Sequence, residues 1–139
     1  GGLDLIKKFH DIKNISDDLT NAGVRVSLFI APEIDQIDKA IEMKVPIIEL
    51  HTGNYADFDG ELKNKELKKI QQAVKYAKKS GLLVNAGHGL HYENVQNIAK
   101  IDGIHELNIG HAIVARALFI GWENAVIEMK KIIREHVKS

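Results

Sequence analysis

Four short segments of the chain alternate apolar and polar residues, which is the pattern of a half-buried β-strand. They cover Val24–Ala31, Pro46–Thr52, Leu82–His88 and Glu106–His111. Apolar residues at helical spacing surround these strands and predict helices over Leu3–Asn21, Glu33–Met43, Gly60–Lys79, Tyr92–Lys100, Ile113–Ile120 and Trp122–Val137. Strands that alternate with helices through tight connections favour parallel pairing and right-handed crossovers. The pattern therefore predicts an α/β protein with a single domain over residues 1–139.

The polar positions of these strands fall on one side of the predicted sheet. They are Glu49, His51, Asn85, Glu106 and Asn108. An unpartnered buried carboxylate or amide costs on the order of several kcal/mol, so this face is either solvated or built around a polar ligand. A doubly wound sheet would have nearly continuous apolar strands. The interior of a barrel fits the pattern better, and an exposed sheet face is the alternative.

Histidines mark the carboxyl ends of three predicted strands, at His51, His88 and His111. Barrel enzymes place their sites at these strand ends. His88 stands between Gly87 and Gly89, so the backbone there can bend sharply and approach a ligand closely. An imidazole titrates near neutral pH and suits proton transfer, although a lone histidine at a strand end is often structural. The flanking glycines and the polar face favour His88 as a site residue.

Other polar residues near these strand ends have more than one interpretation. Glu49 is either a site carboxylate or the partner of Arg25 or another interior base in an ion pair, and the sequence favours neither role. His51 is a second site residue or, as we expect, a hydrogen-bond partner of Glu49. His91 is expected at the exposed start of the helix that follows.

The last predicted strand leads through Gly110 directly into a short helix. Free backbone N–H groups at a helix N-terminus attract phosphate, and barrels often bind phosphate after strands 7 and 8 at such a helix. If the four strands are strands 5 to 8 of a barrel, Gly89 and Gly110 lie at these two positions. The pattern predicts an anion site there, and a plain packing helix with glycines in tight turns is the alternative.

Composition and charge narrow the class of protein. The 19 basic and 19 acidic residues cancel, so no electrostatic footprint for nucleic acid or a membrane surface is present. With no cysteine, disulfides and thiolate metal sites are excluded. No apolar run approaches the roughly 20 residues that cross a bilayer, and no signal-peptide pattern opens the chain. We expect a cytoplasmic protein without nucleic-acid or membrane partners.

The strand-end motifs, taken together, resemble a known family. They read IIELHTG at residues 47–53, VNAGHGL at 84–90 and ELNIGHA at 106–112, and VSLFI at 26–30 precedes them. In this order and spacing they are similar to the second half of the pyridoxine 5'-phosphate synthase family, and the similarity covers nearly the whole chain. The resemblance implies a (β/α)8 TIM barrel, of which this chain is the C-terminal four βα units, strands 5–8, plus terminal helices.

The same resemblance implies an activity and an assembly. The family condenses 3-amino-2-oxopropyl phosphate with 1-deoxy-D-xylulose 5-phosphate, in vitamin B6 biosynthesis, to give pyridoxine 5'-phosphate, phosphate and water. It uses no metal or organic cofactor and forms a homo-octamer. By this match His88 is the catalytic proton donor, Glu49 stabilises the transition state, and Gly89, Gly110 and His111 bind the aminooxopropyl phosphate. The family's first four strands carry further catalytic residues, so we expect the 139-residue chain alone to be inactive.

Two other functions remain as alternatives. A metal-dependent TIM-barrel hydrolase would take its ligands from Glu49, His51, His88, His91 and His111, although no short two-histidine signature supports it. The second alternative is a non-catalytic half-barrel that binds phosphate or only self-associates. A Schiff-base aldolase is disfavoured because no lysine ends a predicted strand, and Lys44 precedes one.

Overall fold

The computed structural model describes residues 1–137, so the last two residues of the predicted domain lie outside the described part. Its strands are β1 (Ser27–Ile30), β2 (Ile47–His51), β3 (Leu83–Gly87) and β4 (Ile104–Asn108). The helices are α1 (Phe9–Asn21), α2 (Ile34–Glu42), α3 (Gly53–Asp57), α4 (Gly60–Lys79), α5 (Val95–Ala99), α6 (His111–Ile120) and α7 (Trp122–His136). The predicted α/β class is confirmed.

The four strands form one parallel sheet in the order β1-β2-β3-β4. A doubly wound sheet reverses its strand order at a switch point, whereas a barrel adds each new strand to the same edge. The sequential order is therefore that of a partial TIM barrel. Outside β1, Leu3 makes an isolated parallel bridge to Ile30, with its N–H 2.7 Å from the Phe29 oxygen. A further parallel strand position thus begins beside β1.

The core lies between one face of the sheet and the helices that follow its strands. Alternate strand residues are buried on this face: Leu28, Ile30, Ile48, Leu50, Val84 and Ala86. They pack in one cluster with Ile37 of α2 and with Ile70 and Val74 of α4. Each such side chain contributes roughly 1.5–3 kcal/mol by leaving water. The predicted alternation is confirmed for these positions, so the opposite face is the one that carries the polar residues.

Several predicted boundaries are wrong, for local reasons. Leu3 belongs to the parallel bridge, and the first helix begins only at Phe9. Val24 precedes β1 and is about half exposed, so it is not part of the buried face. The last strand starts at Ile104, where His105 is an extra residue between two paired positions, and ends at Asn108. Helix α3 was not predicted at all.

No helix among residues 1–137 is long and apolar enough to span a membrane.

Candidate active site at the carboxyl ends of the strands

A cavity of about 490 Å³ opens at the carboxyl ends of the strands. Its walls include all five of the predicted site residues, Glu49, His88, Gly89, Gly110 and His111. Three of the remaining lining residues were also expected near a site: Asn108 on the polar face, His91 as a ligand in the hydrolase alternative, and Ala112 at the anion site after Gly110. Sequence reasoning did not assign the other three, Phe29, Leu90 and Ile109, to the site. The fold thus brings the predicted residues of three separate motifs together around one space.

His88 adopts an uncommon backbone conformation, with φ at +82°. An L residue rarely holds a positive φ, which costs roughly 1 kcal/mol or more and points to a constrained functional position. A side chain on Gly87 would put Cβ 2.5 Å from the Glu49 carboxylate, and one on Gly89 would put it 2.6 Å from Ala56. The glycines around His88 therefore allow the strand end to approach both the carboxylate and helix α3.

Glu49 accepts a hydrogen bond from the Asn108 amide at 2.7 Å. Within residues 1–137 no ion pair joins it to Arg25, so that interpretation of Glu49 is wrong. The carboxylate is half-buried and keeps its other oxygen toward Gly87. A negative charge held beside the cavity suits the stabilisation of a cationic group.

His51 stacks on His88, with ring centroids 4.7 Å apart and planes 23° from parallel. The Phe29 ring packs against the His51 ring as well, with ring centroids 5.2 Å apart. The Nδ1 atom of His51 accepts a hydrogen bond from the Gly53 N–H at 3.2 Å, which places the proton of the neutral ring on Nε2. In the described residues no hydrogen bond joins His51 to Glu49, so the expected partnership is wrong. Burial, followed by the nearby N-terminal ammonium group of Gly1, lowers the pKa of His51 below its ordinary 6.5.

Thr52 and Asn94 hold the segment that follows β3. Thr52 is fully buried, and its hydroxyl lies 2.7 Å from the Gly87 oxygen and 2.6 Å from the His88 oxygen. The Asn94 side chain donates to the Gly89 oxygen at 3.0 Å and accepts from the His91 N–H at 2.7 Å. His91 therefore lies in a bonded turn that lines the cavity, and its predicted position at a helix start is wrong because α5 begins at Val95.

Helix α6 begins at the cavity, with Gly110 as the N-cap and His111 as the first helical residue. His111 was predicted as the end of a strand, and the structure places it in the helix instead. Among residues 1–137 no side chain caps this N-terminus, and Gly110, His111 and Ala112 all line the cavity, so the first N–H groups of the helix lack a side-chain acceptor there. A Cβ atom on Gly110 would meet no atom of the described residues within 4 Å. The helix N-terminus is accordingly open to an anion.

Two other polar residues, Asn85 and Glu106, are in register with Glu49 across the sheet. The Asn85 amide donates to Glu106 at a long 3.4 Å, and its oxygen is buried without a partner in the described part of the chain. No group of three histidine or carboxylate side chains among residues 1–137 has the arrangement of a metal site. The metal-dependent hydrolase therefore gains no support from this geometry.

Fold and cavity together define a class, a βα-repeat protein of partial-barrel type with a polar cavity at the carboxyl ends of parallel strands. The family model described as "Pyridoxal phosphate biosynthesis protein PdxJ" matches residues 1–135. The chain belongs to this family, which confirms the resemblance read from the motifs.

Two curated relatives carry the same name, "Pyridoxine 5'-phosphate synthase". The chain is 51% identical over 136 residues to the one from Blochmanniella pennsylvanica (strain BPEN), covering 97% of this chain and 56% of the relative. It is 50% identical over 133 residues to the one from Sulfurihydrogenibium sp. (strain YO3AOP1), covering 96% of this chain and 55% of the relative. The chain spans about half the length of the curated relatives it matches.

Proposed function

We propose that this chain is the C-terminal half of a pyridoxine 5'-phosphate synthase barrel, with β1–β4 as its strands 5–8. The activity of the completed barrel is the condensation of 3-amino-2-oxopropyl phosphate with 1-deoxy-D-xylulose 5-phosphate to give pyridoxine 5'-phosphate, phosphate and water. Membership of the family and the name of both relatives support this proposal.

One observation carries the chemistry: a histidine, a carboxylate and an open helix N-terminus line the same cavity. His88 is the proton donor in the steps that release water and phosphate, a role that suits an imidazole. Glu49, held by Asn108, stabilises the cationic, imine-like intermediates. The N–H groups of α6, with Gly89, Gly110 and His111, bind the phosphate of the aminooxopropyl substrate.

The remaining half of the site is proposed to come from residues outside this chain. The parallel bridge of Leu3 beside β1 supports a sheet that continues past this edge. Half a barrel leaves the backbone groups of its edge strands unpaired and exposes its polar interior to water. We accordingly propose that the synthase activity needs the completed barrel.

Assembly and location are further parts of the proposal. We propose a cytoplasmic homo-octamer, as the family resemblance implies. Exposed apolar side chains on α6 and α7, including Leu118, Phe119 and Trp122, support self-association. Light scattering of the completed barrel measures the subunit number, and a purely monomeric protein would contradict the octamer.

The test joins residues 1–139 to the part of the Sulfurihydrogenibium sp. relative that precedes the matched region. Formation of pyridoxine 5'-phosphate from the two substrates is then measured for this fusion and for the chain alone. We expect activity from the fusion only. A folded fusion without activity would contradict the proposed function, and metal-dependent hydrolysis by the same protein would favour the hydrolase instead.

A further inference from the structure

The threonine that follows β2 has a hydroxyl in an unusual place. Thr52 is the N-cap residue of α3, where a threonine hydroxyl ordinarily accepts a hydrogen bond from the first turn of its own helix. Here no such bond forms. The hydroxyl is instead turned toward the end of the neighbouring strand and lies within 2.7 Å of two carbonyl oxygens, those of Gly87 and His88.

The two carbonyl oxygens depend on this hydroxyl to different degrees. The Gly87 oxygen also accepts from the Thr52 backbone N–H at 2.8 Å. For the His88 oxygen, the hydroxyl is the one donor found within residues 1–137. His88 is also the residue with φ at +82°, a conformation that an L residue leaves unless its surroundings hold it. The hydroxyl therefore anchors the peptide group that sets the direction of the His88 side chain.

From this arrangement we infer that Thr52 is a positioning residue for His88, an inference that rests on the proposed function. Its hydroxyl holds the strained backbone of His88 so that the imidazole stays in the cavity, stacked on His51. Thr52 does not line the cavity and acts only through its neighbour. Without the hydroxyl, the His88 peptide relaxes toward negative φ and carries the ring away from the substrate.

The test uses the completed barrel and a double-mutant cycle between Thr52→Val and His88→Asn. Valine keeps the shape of threonine and removes the donor, while Thr52→Ser restores the donor and is the matched control. We expect Thr52→Val to lower kcat about 10-fold or more with KM changed little, and Thr52→Ser to stay near the wild-type kcat. In the His88→Asn background, Thr52→Val should change kcat by less than about twofold, because coupled residues are not additive.

An equal loss of kcat in both backgrounds, or a Thr52→Ser variant as slow as Thr52→Val, would overturn the inference in favour of a general structural role. If the valine variant does not fold, Thr52→Ala replaces it in the cycle.

A crystal structure of the valine or alanine variant supplies a readout independent of activity. We expect a displaced His88 ring and a changed φ, and an unchanged His88 would overturn the positioning role. If the wild-type barrel proves inactive, the proposed function fails, while this structural comparison still decides the role of Thr52.

Discussion

The first three βα units and the last one use apolar residues in different ways. Strands β2 and β3 are almost entirely buried, and α2 and α4 turn their apolar sides into the same core. Helix α6 is more apolar in sequence than α2 and α4, yet none of its residues is buried. Its Leu118 and Phe119 side chains are 83% and 87% exposed. Burial depends on a neighbouring surface, and within residues 1–137 helix α6 packs mainly against α7.

The difference divides the candidate site as well. Glu49 lies in the well-packed strand β2 and is bonded to Asn108, while His88 directly follows β3 and is contacted by Thr52 and His51. Gly110 and His111 begin the poorly covered helix, which is tied to α7 by a bidentate Arg116–Glu128 pair at 2.9 and 3.1 Å. That hydrogen-bonded pair lowers the pKa of Glu128, but exposed pairs contribute little to stability. We therefore expect chemistry to depend on the first region and phosphate affinity on the second.

The largest effect is expected in the packed region, from His88→Asn in the completed barrel. Asparagine keeps a hydrogen-bonding group but cannot exchange a proton near neutral pH. Turnover should fall by about 10²–10⁴-fold with KM changed little. His105→Asn, at the exposed extra residue of β4, is the matched control and should leave turnover unchanged. Near-normal turnover of a folded His88→Asn variant would leave His88 as a packing residue.

A smaller loss of turnover is expected from Glu49→Gln, which lies in the same well-packed region. Glutamine keeps the shape and removes the charge, so the change tests electrostatic stabilisation of cationic intermediates. Turnover in steady-state assays should fall by about 10²-fold at similar substrate affinity. Glu61→Gln, an exposed change at the start of α4, is the control. A stability loss with full activity per folded molecule would show a structural role for Glu49.

In the exposed region, Gly110→Val should weaken phosphate binding more than it harms folding. The new side chain would meet open space in the fold but occupy the approach to the α6 N-terminus. We expect roughly a 10-fold to 100-fold rise in the dissociation constant of inorganic phosphate, measured by calorimetry on the completed barrel, with turnover at saturation reduced less. Phosphate affinity unchanged by Gly110→Val would place the anion elsewhere.

The apolar surface of α6 gives a prediction about the 139-residue chain on its own. With open sheet edges and exposed apolar residues, it should be aggregated, dimeric or partly molten. Replacing Leu118 and Phe119 by lysine should raise the soluble fraction, as seen by light scattering, while Asn54→Lys adds charge without removing apolar surface and should do less. A monomeric wild-type chain that melts cooperatively would contradict the contrast between the two regions.

The smallest effect concerns pH and the packed region. Because burial lowers the pKa of His51 in the folded state, the unfolded chain binds the proton more readily. The stabilisation is present above pH 6.5 and is lost as the pH falls below it through the folded pKa. Thermal unfolding of the completed barrel between pH 7 and 5 should therefore show a decline that is shallower in His51→Gln. In the 139-residue chain the Gly1 ammonium group and His88 add to this shift and Asp57 opposes it, whereas in the fusion, where Gly1 is no longer a terminus, the prediction rests on burial. An identical decline in the melting temperature of both proteins would contradict a contribution of His51 to this pH dependence.

The sequence by itself determined the element order, the parallel α/β class and the buried face of strands β1, β2 and β3. These features follow from local periodicity, because alternate strand residues point to opposite faces wherever the sheet lies. Family membership was also readable, since the motifs at residues 47–53, 84–90 and 106–112 lie in order along the chain. The five predicted site residues all line one cavity, and their catalytic and binding roles remain predictions.

Only the tertiary structure decided the partners of these residues. Glu49 bonds to Asn108, which lies 59 residues away in sequence, and His51 stacks on His88 across two strands. Thr52 was predicted as the last residue of a strand, and its contact with His88 forms only when β2 and β3 come into register. Helix α3 was missed because a five-residue helix has too little periodicity to detect. Such pairings depend on which strands are neighbours and on the register between them. The periodic pattern within one segment specifies neither of these.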